Sequence, residues 1–351
     1  MRRLVLCTTL CALLSAHAPA AAPPAEPDMR RPLDWLVAAQ NDDGSWGDGA
    51  KDPHPDVATT ALAGVALLRL GHTGSRGQYQ EQTRRAVAYV AAAVERAPQD
   101  EIAINPPGTL PQRKLGRNID TFVAAQFLAE VLPTLHGPLQ ARAERALGSV
   151  VKRIERAQGK DGSYSRDGWA PLLASAFANN GLYAAQRAGV AVDKDVLAKG
   201  QAGLVSRYDD KTKSFGVADA AGVQLYSVAA SMIAAEQVAR PDAPASPELK
   251  RRAEEARKAA TAQLSNENVL RGFGTYGGEE HVSYMLTAEA KAASGGDEWA
   301  GFRKSIRARL AAIQRENGTW RGDHCITSTT FCTAASLITL AIEPRPGSRP
   351  S

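Results

Sequence analysis

Leu36-Val-Ala-Ala-Gln40-Asn-Asp-Asp-Gly44-Ser-Trp46 decides how the rest of the chain reads. Its frame is an aliphatic residue, three positions, Gln, three positions, Gly, one position and an aromatic. The frame returns at Ile154-Glu-Arg-Ala-Gln158-Gly-Lys-Asp-Gly162-Ser-Tyr164 and again at Leu310-Ala-Ala-Ile-Gln314-Arg-Glu-Asn-Gly318-Thr-Trp320. Three identically spaced copies make an internal repeat, and a repeat fixes the unit of structure before any single element does. The Gln side chain can satisfy free carbonyl or N–H groups at a helix end. The Gly permits the turn, and the aromatic is expected to stack on the neighbouring hairpin. In this reading the frame fastens hairpins together and carries no chemistry.

Outward from the repeats, Ala and Leu dominate and strand-like alternation is almost absent. The periodicity predicts helices in pairs: 29–39 with 57–70, 79–96 with 119–132, 139–157 with 169–187, 193–206 with 222–239, 246–264 with 281–293, and 298–315 with 327–341. Ser246-Pro247-Glu248 is an N-cap followed by Pro at the first helical position, and Gly71 is a stop. In each pair the second helix is the more apolar; Ala58 to Leu70 is apolar nearly all round, which marks a helix buried on most faces. The charged first helices belong outside. The aromatic after the first helix recurs as Trp46, Tyr164, Phe215, Tyr276 and Trp320. Six hairpins in two concentric rings give an all-α (α/α)6 toroid over 29–342. An open solenoid would need polar end caps, and 327–341 shows none.

Met1-Arg-Arg3, an apolar stretch to Ala16 and small-x-small sites at 16–18 and 20–22 have the form of a secretory leader over 1–22. The expected location is therefore periplasmic or extracellular. No segment supplies 18 uninterrupted apolar residues, so no membrane span is expected. The 42 basic residues barely exceed the 37 acidic ones, and two of the basics lie in the leader, which argues against a nucleic-acid partner. Beyond the leader only Cys325 and Cys332 remain, too far apart along a helical segment for a disulfide. The tail 343–351, rich in Pro, Arg and Ser, reads as disordered.

The Gln-x-x-x-Gly-x-Trp frame followed by Asp56-Val-Ala-Thr-Thr-Ala-Leu-Ala-Gly-Val-Ala-Leu-Leu-Arg-Leu-Gly71, with Arg31 and Trp35 upstream, resembles the squalene–hopene cyclase and protein prenyltransferase repeat superfamily. The resemblance implies a toroid whose central cavity opens where the inner helices begin, and a ligand that is apolar or isoprenoid-like. The Asp-x-Asp-Asp acid motif of the cyclases is absent. Prenyltransferases hold Zn²⁺ with an Asp-x-Cys and a His, and Asp323-His324-Cys325 contains an Asp-x-Cys. The resemblance thus implies a possible zinc site from Asp323 and Cys325 with His54 or His281, donor types that Zn²⁺ prefers. Helix capping by acidic residues such as Asp56 and Asp323 is the plain alternative.

Asp56, Asp120, Glu280 and Asp323 are the candidate mouth carboxylates, each at or before the start of an inner helix. Phe122, Tyr226, Tyr284 and Phe331 are candidates for an aromatic collar suited to an isoprenoid, a lipid or a sugar ring; packing between the rings is the competing reading. A second functional class is a carbohydrate-active enzyme, such as a polysaccharide lyase, for which Arg117, Asn118, Asp120, Asp167, Trp169, Asp219 and Glu280 could line the mouth. A third is a protein-interaction ring using the charged outer helices.

Overall fold

Each aliphatic–Gln–Gly–aromatic frame marks the end of an outer helix and the turn toward an inner one. The computed structural model describes residues 26–344 except 242 and 244. The expected leader lies outside the described residues, as do residues 345–351 of the expected disordered tail. In chain order the helices are α1 (Arg30–Ala39) and α2 (Val57–Arg69); α3 (Gln80–Arg96), the short α4 (Leu110–Leu115) and α5 (Ile119–Val131); α6 (Gly137–Ala157) and α7 (Pro171–Arg187); α8 (Lys194–Val205) and α9 (Gln224–Val238); α10 (Pro247–Gln263), the short α11 (Glu267–Leu270) and α12 (Gly278–Ser294); and α13 (Gly296–Ala312) and α14 (Thr329–Ala341). No described helix is long and apolar enough to cross a membrane.

α2 packs on α5, α5 on α7, α7 on α9, α9 on α12, α12 on α14, and α14 back on α2. That closed sequence of contacts is an (α/α)6 toroid, with α1, α3, α6, α8, α10 and α13 as the outer ring. Sequence explains the layering. α2 is buried continuously from Val57 to Leu67 and α14 from Thr330 to Leu340, as apolar helices with neighbours on both sides must be. Outer α10 buries only the Ala253, Ala256 and Ala260 stripe and leaves its charges in solvent.

The repeated Gln is the clasp between hairpins. Gln40 Nε2 donates to Gly44 O at 3.0 Å and to Gln82 O of α3 at 2.9 Å, and its Oε1 accepts from Arg85 at 2.9 Å. Gln158 Nε2 donates to Val196 O of α8 at 2.7 Å. Gln314 Nε2 donates to Gly318 O and to Asp28 O, at 2.8 and 2.6 Å, while its Oε1 accepts from Asp28 N at 3.0 Å. The last clasp joins the final hairpin to the residues just before α1 and closes the ring. Gly44, Gly162 and Gly318 sit at φ +90°, +83° and +84° and let the next outer helix approach. A Cβ on Gly44 would stand 2.5 Å from Arg85 O, and one on Gly162 would press on Lys199 O.

Each frame aromatic ties inward through its backbone. Trp46, Tyr164 and Trp320 donate their N–H to hydroxyls of their own inner helices, Thr60, Ser175 and Thr333. The two tryptophans add a bond within their own hairpins. Their indole N–H groups donate back to Leu36 O and Leu310 O of their own outer helices. Tyr164 reaches a neighbour, donating to Val196 O at 3.2 Å, and the Tyr276 hydroxyl accepts from Arg309 of α13 at 3.0 Å. Phe215, expected as another copy, lies instead in a two-residue β ladder opposite Tyr208.

Candidate functional site

At the face where the inner helices begin, the sequence candidates are mostly engaged in holding the fold. Asp56 Oδ1 accepts from Thr59 N at 2.6 Å and Oδ2 from Thr59 Oγ1 at 2.8 Å. Asp120 Oδ1 accepts from Ala58 N at 3.0 Å and Oδ2 from Gln112 Nε2 at 2.8 Å. The two carboxylates therefore meet at the N-terminus of α2, and every oxygen has a donor. Burial and then the Asp120 charge push Asp56 up to about 8. Burial also raises Asp120, against its bonds from Gln112 and Ala58. Glu280, likewise buried, accepts from Tyr226 Oη at 2.6 Å, Phe273 N at 3.0 Å and Gly277 N at 2.8 Å. Asp323 is exposed, and its N–H donates to Tyr276 O.

Phe122, Tyr226, Tyr284 and Phe331 are all fully buried. Phe122 meets Tyr164 edge-on, with ring centres 6.4 Å apart. The Tyr284 hydroxyl donates to Leu270 O at 2.5 Å. Phe331 packs beside Gly278. They occupy the packing between elements, and none lines the axial cavity described below.

The zinc candidates do not gather: among the described residues no group of three or more His, Cys, Asp or Glu could hold a metal ion. His54 is exposed. His281 is buried with Nδ1 2.9 Å from Ser336 Oγ, and burial pushes it down to about 3. Cys325 is half-buried, and burial and then the nearby Glu279 charge raise its thiol to about 11. The residues considered for sugar chemistry also find separate partners. Arg117 N donates to Asp167, Asp219 pairs with Arg207 at 2.7 Å, and Trp169 lies under the Lys114 ammonium, 5.9 Å from its ring centre. His54 and Asp56 border an off-axis cavity of about 950 Å³ between hairpins one and two. Its far wall is the Pro-rich loop, which Arg153 pins by donating to the Ala97, Pro98 and Glu101 carbonyls.

The axial cavity lies at the opposite face. It measures about 390 Å³ and is lined from the last turns of α2, α5, α7, α9 and α12 and by Ile342 and Glu343 just beyond α14. The central cavity thus opens where the inner helices end, not where they begin. α5 and α12 stand opposite each other in the ring, yet Gln126 Nε2 of α5 donates to Glu289 Oε1 of α12 at 3.1 Å. The Glu289 carboxylate therefore stands close to the ring axis. Arg69 reaches it at 3.2 Å and Glu130 at 2.7 Å, and Asn180 donates to Glu289 Oε2 at 3.1 Å. Gln237 extends the network, donating to Asn180 Oδ1 at 3.0 Å and accepting from Asn179 at 2.7 Å.

Burial raises the Glu289 pKa; Arg69 opposes the shift and Glu130 adds to it. Burial works against the Arg69 charge, but the two carboxylates outweigh it and its pKa is raised. The Tyr183 hydroxyl borders the cavity, closed to solvent and without a partner among the described residues. Between these polar groups the wall is small and apolar: Ala129, Ala184, Ile233, Ala290 and Ala293. Sequence reasoning passed over this set. Its signal was present, a polar residue in the last turns of an otherwise apolar helix, at Arg69, Gln126, Asn180, Gln237 and Glu289.

No protein-family model and no curated protein matches the chain. Among solved structures it is similar to the apo form of the type II terpene cyclase MstE from Scytonema, at a TM-score of 0.37 and 14% identity over 89% of this chain and 96% of that one. The toroidal assignment rests on the closed ring of helix contacts.

Proposed function

We propose that the chain is a small-molecule-binding toroid whose ligand occupies the axial well. The ligand has an apolar, isoprenoid-like body and one polar, hydrogen-bonding end. The observation that carries this reading is a single cavity of about 390 Å³, lined from all six hairpins, with a carboxylate near the ring axis. That volume lies in the range of small-molecule sites, which combine an apolar wall with a few placed polar groups. Ala129, Ile233, Ala290 and Ala293 would take the apolar body. Glu289, Asn180 and the unpartnered Tyr183 hydroxyl would read the polar end. The basic start and apolar run over 1–22 support export, so the well would be offered outside the cytoplasm.

Thermal melting in the presence of farnesol, geranylgeraniol and palmitate tests the reading. A saturable rise in Tm with at least one probe is expected in wild type and is lost in I233W, which fills the well. If no probe shifts the melt, and solvent extracts of the purified protein contain no stoichiometric lipid, the reading fails.

A further inference from the structure

On the other face, the rim between hairpins four and five holds a pocket of about 380 Å³ that includes Phe273, Gln224, Asn266, Asn268, Gly222 and Gly272. We propose that this pocket binds a neutral sugar ring, with Phe273 as the stacking platform. The proposal is independent of the axial well.

Phe273 is 58% exposed, and with Trp169 it is one of two large apolar side chains left in solvent among the described residues. A lone exposed apolar residue is ordinary; this one is held in place. Its N–H donates to the fully buried Glu280 at 3.0 Å, and the same carboxylate takes Gly277 N and the Tyr226 hydroxyl. Gly272, at φ +59°, lies so close that a Cβ there would stand 2.6 Å from Glu280 Cγ. The His324 ring backs Phe273 with centres 5.2 Å apart. A buried acid thus pins the loop that presents an aromatic face to solvent, and a pre-positioned aromatic loses little entropy when a ligand stacks on it.

The remaining lining gives the ligand class. No lining residue carries a charge, so the pocket offers no ionic partner to a phosphate, a carboxylate or an ammonium. The Gln224 and Asn268 amides make no hydrogen bond to the described residues, and Asn266 spends its Oδ1 on Asn268 N. A wholly apolar ligand would cover these amides without replacing their water, at a cost. A pyranose suits both features. Its C–H face lies on the electron-rich ring face, and its hydroxyls pair with amide oxygens and N–H groups.

Native gels containing hydroxyethylcellulose, arabinoxylan, mixed-linkage β-glucan or soluble starch test the site by retardation. Wild type is expected to be slowed by at least one polymer. F273A should lose about tenfold in affinity, F273W should keep it, and N268A should weaken it. Phe273 is exposed, so F273A is expected to fold, which its circular dichroism spectrum checks. I233W, altered only in the axial well, should be retarded like wild type. Wild type unaffected by all four polymers, or F273A retarded equally, overturns the proposal.

Discussion

Replacing Gly44 with Ala tests whether the repeated frame works by close approach of the next outer helix. Two costs add at this position. An L-residue at φ +90° is strained by about 1–2 kcal/mol. The new Cβ would also stand 2.5 Å from Arg85 O, a backbone atom in the middle of α3 that cannot rotate aside. Such overpacking costs about 1–3 kcal/mol, so G44A should lose about 1–4 kcal/mol once the unfolded chain's lost freedom is counted. Two other glycines separate the terms. Gly71 has φ +86° but nothing within 4 Å of where a Cβ would lie, so G71A bears the strain alone, about 1 kcal/mol after the unfolded chain's lost freedom is counted. Gly148 lies inside α6 with open space around it, and G148A should gain about 0.5–1 kcal/mol. Equilibrium urea unfolding followed by circular dichroism should rank the variants G148A, wild type, G71A, G44A from most to least stable. G44A and G71A agreeing within about 0.5 kcal/mol would refute the close-approach argument. It would leave the frame's glycine as a turn former and nothing more.

Q314A removes three hydrogen bonds that join the last hairpin to Asp28 and to its own turn, and should cost about 2 kcal/mol in the same urea assay. Burial raises Glu279 to about 7 from 4.5, so the folded state keeps a proton that the unfolded chain releases. That residue's contribution is fully present below about 4.5 and is lost as pH rises through 7. E279Q should therefore gain on wild type across that window, by up to about 3 kcal/mol, as urea midpoints from pH 4.5 to 8 would reveal. R69A leaves Glu130 and Glu289 facing each other without their cation; with Arg69 partly exposed, the expected loss at pH 7 is about 2 kcal/mol, and adding E289Q should recover part of it.

The hairpins were legible because two periodicities agree in this chain. Apolar spacing separates all-round apolar helices such as α2 from striped ones such as α10, and the Gln–Gly–aromatic frame marks where one turns into the other. Which face of the ring carries the cavity was not legible. The acidic residues at the inner-helix starts invited attention, but Asp56 and Asp120 spend all four oxygens on α2 and its support. A carboxylate before an inner helix is first a capping group. The aromatics misled for a related reason. Tyr226 and Tyr284 have hydroxyls that find partners inside the wall, Glu280 and Leu270 O, so a buried position needs no ligand to satisfy it. The axial residues escaped notice because Gln126, Asn180 and Glu289 lie far apart in sequence. Only closing the ring makes them neighbours.

Closure also sets the electrostatic character of the well. The inner helices run parallel, so their carbonyl ends converge there, each equivalent to roughly −0.5 charge. Arg69 and Arg187, in the last turns of α2 and α7, and Arg240 just beyond α9 answer that field, but Glu130, Glu236, Glu289 and Glu343 border the same space. An anionic headgroup would meet carboxylates and helix C-termini together, whereas a hydroxyl or ammonium could donate to Glu289. For one prenyl chain, the well should therefore take farnesylamine or farnesol in preference to farnesyl diphosphate. Calorimetric titration at pH 7 and at about 0.05 and about 0.5 M salt checks this. The amine should bind at least about tenfold tighter than the diphosphate at low salt, and the gap should narrow at high salt as screening shortens the reach of the field. Tighter binding of the diphosphate would mean that the arginines, not Glu289 and the helix ends, govern the well.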